Sequence, residues 1–91
     1  MTQSQVADRT RTFIRESFLY ARPDFTLDDD ADLLTAGIVD SMGVMELIEF
    51  LEREFHIKIP DDDITEENLG TVSAIARYVA EGNGPNGLDD A

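Results

Sequence analysis

Along the first twenty residues the apolar positions return every three or four places. At about 100° per residue, Val6, Thr10, Phe13, Ile14, Ser17 and Ala21 fall on one side, with Phe18 at the margin. Asp8, Arg11, Arg15 and Arg22 fall opposite. Thr2 or Ser4 can cap the start, and Pro23 stops the run because the residue before a proline disfavours helical geometry. The pattern predicts a first helix from about Gln5 to Tyr20. Leu19 points off the stripe, toward the following loop.

The cleanest pattern follows Gly37-Ile38-Val39-Asp40-Ser41-Met42 and predicts a second helix running to Phe55. Val44, Leu47, Ile48, Leu51 and Phe55 share one face, while Met42, Glu46, Glu49 and Arg53 lie opposite, with Met45 and Glu52 at the border. Phe50 sits on a flank that periodicity does not assign. Between the two helices, residues 22–40 read as a long ordered connection. Its aspartates (Asp24, Asp28, Asp29, Asp30 and Asp32) solvate it, and Phe25, Leu27, Leu33, Leu34 and Ile38 pin it to the core. One short turn is expected at Asp32-Leu33-Leu34.

After Phe55, the segment His56-Ile57-Lys58-Ile59-Pro60 looks extended. Thr65 then caps a single helical turn that Gly70 closes, and Thr71 caps a last helix with Val72, Ile75, Ala76 and Val79 as its apolar stripe. No alternation of period two lasts long enough to build a sheet. The expected class is all-α: a small four-helix bundle of three main helices plus one short helix, with a long ordered first loop. Residues 1–81 form the expected domain. From Gly82 onward, residues 82–91 have neither periodicity nor apolar weight and are expected to be a disordered tail.

Length and composition narrow what such a bundle does. Its 91 residues suffice for one modest core, and the absence of cysteine removes disulfides, thiolate metal sites and any protein thiol nucleophile. That suits a reducing cytoplasm. No apolar run is long enough to cross a membrane and no basic-then-apolar leader opens the chain, so a soluble, unexported protein is expected. Residues 1–22 hold two acids against four arginines, whereas residues 23–91 hold eighteen acids against three bases, for a net charge of −13. Such a surface repels phosphate backbones and anionic lipid; neither nucleic acid nor membrane fits as a partner. Basic protein surfaces or metal cations fit better, and the plain alternative is an acidic surface that aids solubility.

Candidate chemistry is sparse. The single histidine, His56, stands at a helix end and reads as a plain C-terminal helix residue, so no histidine-based triad exists. Calcium loops fail in two places. Counted from Asp28, Leu33 and Val39 occupy the places of the turn glycine and the final glutamate; counted from Asp61, Glu66 and Val72 do. No metal ligands and no catalytic residues are assigned. Ser41 remains, and on the Asp40-Ser41 pair alone it reads as an ordinary N-cap whose hydroxyl satisfies an orphan N–H. An acidic helical adaptor with Ser41 as its cap, and a cation-binding protein with unorthodox loops, both stay open at this point.

The wider string changes the weighting. Asp32-Leu33-Leu34-Thr35-Ala36-Gly37-Ile38-Val39-Asp40-Ser41-Met42 is followed by the run Glu46 to Phe55, then Ile57-Lys58-Ile59-Pro60-Asp61 and Thr71-Val72-Ser73-Ala74-Ile75. Together these segments resemble an acyl carrier protein, over about half the chain at the level of motif. The resemblance implies that residues 1–81 are a carrier domain whose Ser41, next to the motif residue Asp40, receives 4′-phosphopantetheine from coenzyme A. It implies a magnesium-dependent phosphopantetheinyl transferase as partner, and a non-catalytic, monomeric, cytoplasmic carrier of acyl or aminoacyl thioesters. Further implied partners are acyl- or aminoacyl-adenylating ligases, and acyltransferase or ketosynthase enzymes with basic docking patches. Met42, Met45, Glu46, Glu49 and Glu52 would form the docking face, where methionine adapts to several surfaces and glutamates steer toward basic patches. Gly43 departs from many fatty-acid carriers, which often carry an acid at that place; one recognition charge is missing and a looser first turn is expected. The flavour is that of discrete carriers in secondary metabolism, polyketide or nonribosomal peptide, or of D-alanyl carriers loaded by an adenylating ligase.

Overall fold

The computed structural model describes residues 2–81, and among these residues every regular element is helical. The expected tail at 82–91 lies outside the described residues. α1 runs Gln3–Phe18, two residues earlier than periodicity suggested. A capping box explains the start. The Thr2 hydroxyl accepts from the Gln5 N–H at 3.1 Å, and the Gln5 side chain accepts from the Thr2 N–H at 2.9 Å. The other end comes early as well. Leu19, expected to leave the stripe for the loop, has non-helical backbone and is 2% exposed within the core. Once its φ and ψ leave the helix, the 100° rule no longer says where its side chain goes.

The connection to α2 is ordered by three kinds of tie. Arg11 donates to both Asp29 and Asp8, holding the connection against α1. The Ser73 N–H donates to the Asp29 carbonyl and the Leu33 N–H to the Gly70 carbonyl, stitching it to the last third of the chain. Within it, the Asp32 carboxylate accepts from the Leu34 and Thr35 amides and closes the turn expected at that place. Leu27, Leu33, Ile38 and Val39 are buried and Phe25 half-buried beneath the Arg22 guanidinium. Leu34 does not join them: it is 49% exposed, because the Asp32 turn directs adjacent residues to opposite sides. Gly37 ends the turn at φ 74°, a left-handed conformation that glycine adopts without penalty.

α2 runs Ser41–Phe55, with Leu47, Ile48 and Leu51 buried and Val44 and Phe55 half-buried. Phe50, which periodicity left unassigned, is buried and stacks on Phe13 of α1, with ring centroids 4.2 Å apart and planes within 8°. His56 closes α2 as an exposed C-cap at φ 56°. A 3-10 turn at Asp61–Asp63, absent from the periodicity reading, precedes α3 at Glu66–Leu69. The Tyr78 hydroxyl fixes this turn by donating to the Asp63 carboxylate at 2.7 Å. Burial, and then that bond, push the phenol well above its ordinary pKa. Thr65 and Thr71 cap α3 and α4 as expected. α4, Val72–Ala80, packs chiefly against α1 and buries Ala74 and Tyr78 in addition to Val72, Ile75 and Ala76.

The arrangement is the expected small helical bundle. α1 and α4 form its body, and the connection delivers Asp40 and Ser41 to the surface at the start of α2.

Candidate functional site

The site is built from the first turn of α2. Ile38 and Val39 are 4% and 1% exposed, so the chain is anchored directly before it emerges. Asp40 follows in extended conformation as the N-cap, and its Oδ1 accepts from the Gly43 N–H at 2.7 Å. Ser41 is the first helical residue and is exposed. Its assignment as the N-cap, on which the adaptor reading rested, is therefore corrected: the cap is Asp40. Both residue types make good caps, and the tertiary anchoring of Val39 sets which of the two stands at the boundary. The Ser41 hydroxyl is left without that task, at a helix start whose remaining backbone N–H groups and positive dipole end favour an anion.

The other candidate residues fall into two groups. Met42 and Met45 are 79% and 57% exposed, and Glu46 and Glu49 are exposed beside them. Glu52 stands apart. It is half-buried, and its Oε2 accepts from the Ile59 N–H at 2.8 Å, so it braces the segment after α2. Sequence reasoning missed that bond because nothing in the pattern reveals which carboxylate folds back. It also missed the exposure of Leu34, and it read Gly43 as a missing charge and a looser first turn. Gly43 is in fact buried, and a Cβ there would meet Phe18 Cε1 at 2.7 Å, so no acidic side chain fits at that place without displacing the ring.

Beside this turn lies an apolar cleft of about 340 Å³ between the connection, α2 and α3. Leu33, Val39, Val44, Ile48, Ile64 and Leu69 line it, with Leu34, Thr35 and Glu66 among its more exposed residues. Glu66 faces Asp32, carboxyl to carboxyl. The hydrogen bond and the neighbouring charge raise the Glu66 carboxyl, and the same bond lowers Asp32. Among the described residues no cluster of three or more metal-ligating side chains occurs, and no helix is long and apolar enough to cross a membrane.

A family model described as phosphopantetheine attachment site matches residues 16–79, from the end of α1 through α4. The chain belongs to this phosphopantetheine-attachment family. Its members carry 4′-phosphopantetheine as a covalently attached group. Among its relatives, a D-alanyl carrier protein of Streptococcus uberis (strain ATCC BAA-854 / 0140J) is 44% identical over 52 residues, 57% of this chain and 66% of the relative. The D-alanyl carrier protein of Streptococcus pyogenes serotype M5 (strain Manfredo) is 42% identical over the same extent. The chain thus spans just under two thirds of the length of these curated relatives. The residues present fit the family's group: an exposed hydroxyl that caps nothing, on a helix start suited to a phosphodiester.

Proposed function

We propose that this protein is a carrier whose Ser41 bears 4′-phosphopantetheine and holds acyl or aminoacyl intermediates for other enzymes. The observation that carries the reading is the division of labour at the start of α2, where Asp40 caps and Ser41 is exposed and uncommitted. In the transfer, Ser41 Oγ forms a bond to the pantetheine-bearing phosphorus of coenzyme A. The anhydride bond to adenosine 3′,5′-bisphosphate breaks, and the hydroxyl proton passes to a base on the phosphopantetheinyl transferase. The arm's thiol supplies the nucleophile that a cysteine-free chain lacks and bears the cargo as a thioester.

Ser41 is an attachment point, and the chain performs no bond-breaking of its own. Met42, Met45, Glu46 and Glu49 offer partner enzymes an adaptable apolar surface with acidic flanks, which sets orientation and encounter rate more than affinity. Glu52 contributes at the edge of this face while bracing Ile59. Tethering raises the effective concentration of cargo for successive enzymes. The reading includes a monomer working in the cytoplasm beside those enzymes.

Similarity to D-alanyl carrier proteins favours an aminoacyl cargo loaded by an adenylating ligase over a polyketide or nonribosomal peptide intermediate. The second reading, a longer acyl cargo, draws on the apolar cleft lined by Val39 and Val44 on either side of Ser41. Incubation with coenzyme A, magnesium and a promiscuous transferase tests attachment. Intact mass should rise by one phosphopantetheinyl group in wild type and stay fixed in Ser41→Ala. No gain in wild type, under conditions that modify a control carrier, refutes it. Loading trials of the modified protein with acyl- and aminoacyl-adenylating enzymes then separate the two cargo classes.

A further inference from the structure

We infer that Phe18, at the end of α1, is a positioning residue for the transfer to Ser41 and acts through Gly43. This rests on Ser41 being the attachment point. Gly43 sits at the third position of α2, two residues after Ser41, and its N–H is the one that Asp40 caps. A Cβ at this position would lie 2.7 Å from Phe18 Cε1, 3.1 Å from Asp40 Oδ1 and 3.1 Å from Val39 Cγ1. The ring of Phe18 therefore occupies the notch where any other residue would carry its side chain. It bears on the backbone that holds the cap.

The ring is itself held. Phe18 meets Phe13 edge-on at 5.8 Å, Phe13 stacks on Phe50 at 4.2 Å, and Phe50 meets Phe55 edge-on at 6.0 Å. This aromatic file spans α1 and α2, with Phe18 at the end nearest the α2 start. Helix propensity alone argues against glycine inside a helix, where alanine is favoured. The close approach of the ring gives the glycine its reason. With Val39 buried on one side and Phe18 seated on the other, the first turn is clamped from within while Ser41 stays exposed.

The consequence is kinetic. Ser41 Oγ must meet the coenzyme A phosphorus in line as the bond to adenosine 3′,5′-bisphosphate breaks, and a loosened turn spreads the hydroxyl over unproductive positions. Docking through Met45, Glu46 and Glu49, further along α2, is left alone. Loss of the clamp should thus lower kcat of transfer and spare KM for the carrier.

The test measures transferase kinetics for wild type, Phe18→Leu, Gly43→Ala and the double variant, at a temperature where circular dichroism shows each folded. Leucine lacks the Cε1 atom that fills the notch, and the alanine methyl refills part of it. Each single variant should lose about tenfold in kcat with KM held within about twofold. The double variant should lose less than the product of the two single losses. Amide hydrogen exchange at residue 43 should quicken in Phe18→Leu, whether or not the protein carries its arm. Gly43→Ala carries the test alone if Phe18→Leu does not fold, because helix propensity predicts no harm from it and the geometry predicts a loss. Wild-type kcat in Gly43→Ala overturns the inference, as do strictly multiplicative losses in the double variant. A wild type that never gains the arm overturns both this inference and the attachment reading, whereas a modified wild type with unaffected variants overturns this one alone.

Discussion

Among the described residues, three of the four α-helices begin on a threonine cap and one on an aspartate. At α1, α3 and α4 the hydroxyls of Thr2, Thr65 and Thr71 accept a backbone N–H at 3.1, 3.2 and 3.0 Å. At α2 the carboxylate of Asp40 does so at 2.7 Å, a shorter, charge-assisted bond. The difference bears directly on the proposed attachment at Ser41. Where a hydroxyl closes the helix, it is committed to structure and its modification would open the first turn. Where a carboxylate closes it, the neighbouring hydroxyl of Ser41 can be esterified with the cap intact. A fifth hydroxyl, on Thr10, does neither: it is fully buried and has no hydrogen-bond partner.

The comparison can be broken most sharply at Ser41. Ser41→Ala should abolish phosphopantetheine transfer in the mass assay while shifting chemical unfolding by less than about 0.5 kcal/mol, as for an exposed residue without a structural task. A loss near 1 kcal/mol would instead mark Ser41 as a cap. Asp40→Ala should cost about 1 kcal/mol and slow transfer together, and Asp40→Asn should restore most of both because it keeps the acceptor. Thr71→Ala should cost a similar ~1 kcal/mol in the same unfolding experiment, with transfer kinetics unchanged. Thr10→Val should go the other way and stabilise by about 1 kcal/mol, since it removes a buried unsatisfied hydroxyl at nearly constant shape.

The smallest effect is expected at the start of α3, where Glu66 meets Asp32. The raised Glu66 carboxyl stabilises fully below its unfolded pKa, a contribution lost as pH rises through the folded value. The lowered Asp32 stabilises above its unfolded pKa, a contribution lost as pH falls through its folded value. The pair therefore helps most between the two, on the acid side, and its two charges oppose one another at neutral pH. Both groups are open to solvent, so the effect is screened. Glu66→Gln keeps a donor toward Asp32 without that repulsion. Melting midpoints should then differ less between acid and neutral pH than in wild type.

Much of this was legible in the chain itself. Periodicity located the main helices; Thr71 was readable as a cap because it stands directly before an apolar stripe, and Thr65 because Gly70 closes the single turn after it. The end of α2 at Phe55 followed from the break in its stripe. At Asp40-Ser41 local reasoning put the cap on Ser41, one residue too late, since both residues cap well and stand side by side; the family string supplied the attachment reading, which the pair could not. Other residues were illegible for a shared reason. Leu19 and Leu34 lie where the backbone leaves regular geometry, and no fixed angle carries a side chain from one residue to the next. Phe50 lies on a flank that becomes interior only when Phe13 arrives from another helix.

By itself, then, the sequence determined an all-helical bundle, an acidic surface without thiols, and a serine beside an aspartate at the head of the most regular helix. These are local quantities, set by spacing, charge count and residue type. The tertiary structure decided which of the two residues is the cap, by burying Val39 directly before them. It also decided that Gly43 is a seat for Phe18, and that Glu52 turns inward to Ile59 while Glu46 and Glu49 stay exposed. Each of these depends on a partner brought from elsewhere in the chain, and local pattern holds no record of distance through space.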